Sequence, residues 1–449
     1  MKKRNYIVSS VCILLLAFLP TCRNRNAGNH DATTPTAPFV FGEKPASRVV
    51  FLSTQMNPVE EAEKMRNIIL KDFPGTVDFQ ANDNNYIFRQ IDSLLQANPS
   101  EAILIGATHG DLTSLYEQGV LRPLNGLPLG PGGAAIPENI RAFGRLDGGE
   151  TYYVPWMQAS FVMAANKKAL AYLPPGSSLE ELTYDQLYLW AKNIFDRTGR
   201  KALGFPAGRN GLMHRFLQGY LYPSFTRSTL LKFRSTDACA GWAYLKDLWA
   251  YVNPRSLVYS SMAEPLLTDD AWIAWDHTAR LVKAFKAMPD EFIAFPAPAG
   301  PKGRGFMQAL TGLAVPARVT DVADAAILLD YLTRPEIQYK TLVETGFFPV
   351  VDSPLYAAAP PYLQALKTAA DEQAAAPASI PTLLPIGLGE NGGDYNNVFM
   401  FTFSEIVLEG KHIQTTLEAS AEELQRIIDA NNVRCWPPDI SEERPCKIE

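Results

Sequence analysis

Trp275, Asp276 and His277 stand in a row at the end of the strand-like run "WIAW" (272–275). An indole face, a carboxylate and an imidazole at a strand end suit a ligand with hydroxyls and flat C–H patches: the ring stacks and the carboxylate accepts hydroxyl protons. The alternative is structural. Trp272 and Trp275 then pack a core, and Asp276 caps the following helix. Arg280, one helical turn on, either holds Asp276 by charge or lies on a solvated face. Two more strand ends carry polar groups. Thr108 and His109 follow "AILIG" (102–106), where Asp111 reads as a helix N-cap, and Gln55 follows "VVFLSTQ" and faces either a ligand or solvent.

The elements that must hold these residues alternate between strand and helix. "VVFL", "GTVDFQ" and "EAILIG" read as strands. "PVEEAEKMRNIILKDF" reads as a helix with apolar residues at helical spacing, and so does "NYIFRQIDSLLQ", with Ile87, Ile91, Leu94 and Leu95 on one side. Such alternation implies an α/β fold whose parallel sheet is flanked by helices. Sheets of this kind bind ligands beyond the carboxyl ends of their strands, where Gln55, Thr108 and His109 stand. Near the other end, "SAEELQRIIDAN" lines up Leu424, Ile427 and Ile428 on a helix face. A formal G-x-G-x-x-G occurs at Gly387, Gly389 and Gly392. It lacks the preceding strand and immediate helix of a dinucleotide site, so no nucleotide cofactor is expected.

With 449 residues, 47% of them hydrophobic and 20% charged, the chain has room for two or three domains with sizeable cores. A net charge of −6 and the lack of a basic stripe argue against a nucleic-acid partner. Lys2, Lys3 and Arg4 precede an apolar run, Ile7 to Leu19, too short for a comfortable membrane span and suited to a signal peptide. Loss of residues 1–21 strips three positive charges and no negative ones, taking −6 to −9. Cys22 follows "FLPT" and precedes a polar Pro/Thr-rich tether, residues 22–45, as in a bacterial lipoprotein signal. Pro20 and Thr21 depart from the small residues usual there, which leaves an ordinary cleaved signal as the alternative. Cys435 and Cys446 bracket a Pro-rich tail that a disulfide between them would tie down. Cys239 reads as a buried small apolar residue. No cysteine or histidine spacing suggests a metal.

Several motifs come in a telling order: "AILIGATHGDLTSLYEQGVLRPLNGL", "YYVPWMQASFVMAANKKAL", "FPAPAGPKGRG", "GLAVPARVTDVADAAILLDYLTRPEIQ" and "GFFPVV". From about Val49 to about Asn432 this order resembles the family 1 extracellular solute-binding proteins of ABC transporters, the carbohydrate-binding group. The resemblance implies a two-lobed α/β fold of the periplasmic-binding type, with a ligand cleft between the lobes. Lobe one would comprise 46–150 plus 305–350, and lobe two 157–304 plus 355–449, with hinge crossings at 151–156 and 305–311. In "YYVPWMQA", Pro155 would break the strand where the chain changes lobes. That would leave Trp156 at the cleft mouth as a stacking platform, with Gln158 reaching the ligand beside it. Gln308 and Thr311 precede the return strand, and Phe347 or Phe348 could stack from the "GFFPVV" turn. Asp394 and Tyr395 would sit on a flexible loop over the cleft.

The resemblance further implies a monomer anchored by lipid at Cys22, in the periplasm or on the outer face of the membrane. It would capture a mono- or oligosaccharide, without cofactor or catalysis, and deliver it to the transporter's permease subunits. Two other functions compete. An exported glycan-active enzyme needs two opposed carboxylates, and only Asp276 presents itself. A receptor for a non-sugar solute would want cleft carboxylates for a cation or clustered Arg/Lys for an anion.

Overall fold

The computed structural model describes residues 44–55, 59–82, 84–98, 101–125, 136–320, 322–441 and 443–449. The expected signal segment, most of the tether and Cys22 lie outside the described residues. Among the described residues no helix is long and apolar enough to cross a membrane.

Eleven strands among the described residues make two sheets. They are β1 (Val49–Ser53), β2 (Val77–Ala81), β3 (Ala102–Thr108), β4 (Tyr153–Ala159), β5 (Phe161–Asn166), β6 (Leu203–Gly204), β7 (Ile273–His277), β8 (Phe292–Phe295), β9 (Arg304–Ala314), β10 (Phe348–Pro349) and β11 (Ser379–Leu383). The first sheet has the order β10-β4-β9-β3-β1-β2, with β11 also joined to β9. β1 runs parallel to β2 and β3, while β9 is antiparallel to β3 and β4. Helices cover both faces, so "VVFL" and "AILI" are buried throughout. On the helix Asn84–Ala97, Ile87, Ile91 and Leu95 are the buried positions, spaced four apart as one helical face requires.

The second sheet has the order β6-β7-β5-β8. Alternate residues of β5 feed opposite cores. Phe161, Met163 and Ala165 join one large aromatic cluster, while Val162 and Ala164 join a smaller one beneath the helices Thr278–Ala287 and Pro361–Ala375. The first sheet has a core of its own. The result is two α/β lobes, each with its own sheet.

β9 belongs to both lobes. Its residues Arg304–Gln308 pair with β11, and Ala309–Ala314 pair with β4. The other passage differs from its expected position. Pro155 does not end the strand: β4 runs on to Ala159 and the chain passes to β5 at Ser160. The register against β9 shifts between Pro155 and Met157, a β-bulge in which Trp156 is the extra residue. A bulge tolerates proline's missing N–H and re-aims the inserted side chain. The Trp156 carbonyl, put out of the ladder, accepts from Gln338 Nε2 at 2.7 Å. The same glutamine donates to the Leu332 carbonyl and accepts from the Val350 amide, which fixes the "PEIQ" helix against the turn. Ser160 donates to the Met307 carbonyl, Tyr220 donates to the Phe161 carbonyl, and Gln373 donates to both Ser160 and that carbonyl. The buried turn between the lobes is therefore tied down by side-chain hydrogen bonds.

Three further expectations are corrected. "GGDYNNVFMFTF" is a helix, Gly392–Phe403, not a loop, because Tyr395, Val398, Phe399 and Thr402 share a buried face. The N-cap ahead of the helix His109–Glu117 is Thr108, not Asp111. Cys239 is half-buried rather than fully buried, its Sγ 3.0 Å from Gln414 Oε1. A disulfide joins Cys435 and Cys446.

Candidate functional site

Strand ends of the two lobes converge where the chain crosses between them. In the first lobe Thr108 Oγ1 donates to Asp111 Oδ2 at 2.7 Å and accepts from the Asp111 amide at 3.3 Å, closing the helix start on itself. His109 Nδ1 lies 2.7 Å from the Tyr153 hydroxyl, and its ring meets the edge of Phe143. Burial pushes its pKa down to about 4, so the imidazole is neutral near neutral pH. Gln55 is half-buried after β1, with its Nε2 3.3 Å from Thr54 Oγ1. Beyond β2 three amides chain together: Asn82 donates to Gln90, and Gln90 to Gln80. Tyr86, in the first turns of the adjoining helix, is 64% exposed, an aromatic face open to solvent.

The crossing itself carries an amide relay. Gln308 Nε2 donates to Gln158 Oε1 at 3.0 Å, and Gln158 Nε2 donates to the Pro349 carbonyl at 3.0 Å. Both side chains are half-buried. The relay leaves the Gln308 amide oxygen as an acceptor without a partner among the described residues. Thr311 is buried and donates to the Met157 carbonyl, so it ties β9 to β4.

In the second lobe the row at the end of β7 divides. Trp275 is buried, stacked on Phe161 at 4.9 Å and 3°, with Phe216 and Tyr220 against it edge-on. Neither of its faces is open to a ligand. Asp276 is fully buried and accepts from the Met262 and His277 amides, each at 2.7 Å, so backbone rather than ligand takes its lone pairs. Burial raises its pKa to about 6, opposed by the nearby Arg280 charge and those hydrogen bonds. Arg280 reaches the Asn210 and Ser260 carbonyls instead of pairing with Asp276. His277 is half-buried, edge-on to Phe161 at 5.0 Å and to Phe347 of the first lobe at 5.6 Å. Desolvation drives its pKa to about 3, with help from Arg280. Phe347 thereby meets the second lobe's wall, while Phe348 belongs to a core.

Trp156 is placed differently from its expected position. It is fully buried in the first lobe's core, edge-on to Phe51 at 5.5 Å. Gly106 of β3 makes the room: a Cβ there would lie 2.9 Å from the Phe51 ring and 3.1 Å from the Trp156 ring. With no exposed face, Trp156 has no surface for a sugar to stack on. Tyr395 is likewise fully buried, between Phe399 and Trp436. Asp394 is exposed and lines an outer groove with Phe401, Glu423 and Arg426.

The structure adds residues that sequence reasoning passed over. Arg215 Nη1 donates to Gln218 Oε1 at 2.8 Å and to Asn396 Oδ1 at 3.4 Å, and Gln218 Nε2 donates to Asn396 at 3.0 Å. Burial lowers the Arg215 pKa to about 10, while Asp111 of the facing lobe and Tyr395 act the other way. His214 beside it is held neutral by burial and by the charges of Arg215 and Arg280. In "GLMHRFLQGYLY" the signal was His214, Arg215 and Gln218 at one-, three- and four-residue spacings within an otherwise apolar helical run.

The lobes touch beside this region. Gly110 abuts the carbonyl of Pro385, Arg89 pairs with Glu390 at 3.2 Å, and Arg444 pairs with Glu117 at 3.4 Å. Two amides thus meet at the crossing, and the second lobe holds a guanidinium within electrostatic range of Asp111 in the first. Planar groups of this kind hold vicinal hydroxyls or oxyanions in two-point hydrogen bonds.

A family model described as a bacterial extracellular solute-binding protein matches residues 64–368. No curated protein sequence matches the chain. Among solved structures, the GacH receptor of Streptomyces glaucescens, determined unliganded and with acarbose, covers 85% of this chain and 99% of its own at 15% identity, with a TM-score of 0.65. UgpB from Mycobacterium tuberculosis, in complex with glycerophosphocholine, covers 86% and 100% at 18% identity and TM-score 0.65. An ABC transporter solute-binding protein from Agrobacterium vitis with bound D-mannitol covers 85% and 98% at 16% identity and TM-score 0.65. At such identities the likeness is one of fold.

Proposed function

Since the chain belongs to the bacterial extracellular solute-binding protein family, we propose that it captures a carbohydrate between its lobes and hands it to an ABC transporter permease. The observation that carries this reading is the amide relay Gln308–Gln158 at the crossing, which ends in an open acceptor. Gln55 stands after a strand end of the first lobe, and Arg215, Gln218 and Asn396 hydrogen-bond together in the second. Hydroxyl-rich ligands are held by such planar amides and guanidinium groups, and Tyr86 offers the aromatic face that Trp156 does not. The ligands named for the GacH receptor and the Agrobacterium protein, acarbose and D-mannitol, are polyhydroxylated and support the same class. Closure follows because a ligand touching both lobes favours the state in which they meet.

Binding rather than hydrolysis is the better reading of the carboxylates. Asp276 is engaged by backbone amides and Asp111 by Thr108, so neither is poised as one of an opposed catalytic pair. Export by the N-terminal signal, lipidation at Cys22 and action as a monomer complete the proposal. A thermal-shift panel of mono- and oligosaccharides on the mature chain tests it. Any ligand specific to the folded state raises the melting temperature by mass action. A rise with a saccharide, which is recovered uncleaved, is expected. A rise only with amino acids or peptides overturns the carbohydrate reading, and a cleaved glycan overturns the binding reading.

A further inference from the structure

The lobes also meet away from the strands that cross between them. One contact is apolar: Phe347 meets His277 edge-on at 5.6 Å, and a Cβ on Gly346 would lie 2.6 Å from Val282 Cγ2. The other carries charge and comes from two segments of the second lobe. The first segment is the run 385–391. Leu388 plugs it into the second lobe's aromatic core, and the formal G-x-G-x-x-G leaves its backbone bare. Gly387 and Gly389 have φ of 76° and 49°, the left-handed region that glycine adopts without strain. A Cβ on Gly387 would lie 3.5 Å from Glu117 Oε2, one on Gly389 3.9 Å from Gln118 Nε2, and one on Gly110 2.1 Å from the Pro385 carbonyl oxygen. The run thus touches the first lobe's helix His109–Glu117 near both ends, and Glu390 pairs with Arg89 of the helix Asn84–Ala97 at 3.2 Å.

The second segment is the C-terminal tail. Trp436 is buried, and the buried Asp439 accepts from the Thr229 and Leu230 amides, each at 2.8 Å. Cys446 is buried too, its amide donating to the Val433 carbonyl at 2.7 Å, and the disulfide to Cys435 closes the tail on itself. Beside Cys446, Arg444 donates through Nε to the Asn432 carbonyl at 2.6 Å, and its Nη2 lies 3.4 Å from Glu117 Oε1. Glu117 ends its helix, where the dipole disfavours an anion, so a cation from the other lobe relieves it. Among the described residues, Arg89–Glu390 and Arg444–Glu117 are the ion pairs that pass from one lobe to the other.

We propose that the run 385–391 and the tail form a clasp that holds the lobes together by charge, apart from the ligand's own contacts, so that even an uncharged ligand is bound in a salt-dependent way. This rests on the reading above, in which the ligand is captured between closing lobes. Each pair alone is weak, because exposed ion pairs are screened by solvent and salt. Their carriers are fixed beforehand: Leu388 seats one segment, and Asp439 and the disulfide seat the other. Little side-chain and loop ordering is then left to oppose closure.

The test is calorimetry and solution scattering on the mature chain at low and high salt, with the uncharged saccharide that most raises its melting temperature. Raising salt from about 0.02 M to about 0.5 M is expected to weaken binding by about 2- to 10-fold. General repulsion between the lobes of a net-negative chain would act in the opposite sense, salt then tightening binding. Glu390→Arg sets like charges against each other and is expected to weaken binding by about 3- to 10-fold at low salt, and adding Arg89→Glu to restore it to within about twofold. Arg89→Gln with Glu117→Gln is expected to leave affinity nearly independent of salt. All of these side chains are exposed, so unchanged unliganded melting temperatures separate a clasp from a folding defect. Affinity in the wild type that is flat in salt or rises with it, or a Glu390→Arg that has no effect or is not rescued by Arg89→Glu, overturns the clasp and spares the capture reading. Where no saccharide binds, scattering of the unliganded chain decides. Compaction at low salt that Glu390→Arg abolishes supports the clasp and overturns the carbohydrate reading, and its absence overturns both.

Discussion

The contact at Gly110 gives a direct handle on closure. A Cβ built there would lie 2.1 Å from the Pro385 carbonyl oxygen, 3.1 Å from its carbon and 3.6 Å from Ile386 Cα. All three atoms belong to the facing lobe. Real Cβ contacts do not fall below 3.0 Å, so Gly110→Ala asks the lobes to part by about 0.9 Å (3.0 less 2.1) at this point. Overpacking of this kind costs about 1–3 kcal/mol, and the cost falls on the closed state alone, since parting the lobes removes the clash. If ligand binds the closed state, its affinity drops by about 5- to 150-fold. The first lobe itself does not suffer. Gly110 is in the first turn of the helix His109–Glu117, where alanine is a better helix former by about 1 kcal/mol. Calorimetry with the best saccharide, melting curves without ligand, and solution scattering with and without ligand form the assay. The expected result is weaker binding, an unchanged or higher unliganded melting temperature, and a less compact liganded form. Wild-type affinity with wild-type compaction in Gly110→Ala would refute the reasoning.

Three further outcomes follow from the same geometry. Trp156→Ala empties a fully buried site beside Phe51 and is expected to cost about 3–5 kcal/mol in denaturant unfolding, a loss seen without any ligand. If it weakens saccharide binding at unchanged stability, the placement of Trp156 in the core is wrong. Gln308→Leu removes the open end of the relay and should weaken saccharide binding about tenfold at near-constant melting temperature; unchanged affinity would take the relay out of the site. The pH dependence has a worked sign. His109 and His277 titrate at about 4 and about 3 when folded, below their unfolded value of 6.5, so their stabilisation is present above pH 6.5 and is lost as pH falls. Asp276, raised to about 6 from 3.8, acts oppositely, since its folded state keeps a proton that the unfolded state releases as pH rises between those values. Melting temperature should therefore fall on acidification less steeply in His277→Gln and more steeply in Asp276→Asn. The reverse order would contradict the assigned burial.

The alternation of strands and helices was readable because period-2 and period-3.6 patterns reflect burial directly. "VVFL", "AILI" and the Ile87–Ile91–Leu95 face became the first lobe's layers. The site was harder to read, because strand ends carry two kinds of polar residue that look alike in sequence. Asp276 and Thr108 cap backbone, while Gln308 and Gln158 face the crossing; only three-dimensional partners separate them. The Pro155–Trp156 pair misled for a physical reason. Proline does mark a local break, but a bulge absorbs it, and the bulge turns Trp156 inward where Gly106 leaves space. Arg215 was hidden because one cation in an apolar helix reads as a solvated edge, and its burial among Gln218 and Asn396 is visible only once the fold is known.

The central claim is that a saccharide binds between the lobes and draws them together. Solution scattering of the mature chain, titrated with the saccharide that most raises its melting temperature, measures this directly. The account requires the radius of gyration to fall with saturable, one-to-one dependence on ligand, and Gln308→Leu to shift that curve to higher concentration. A saccharide that binds without compaction, or compacts the chain equally in Gln308→Leu, would contradict it.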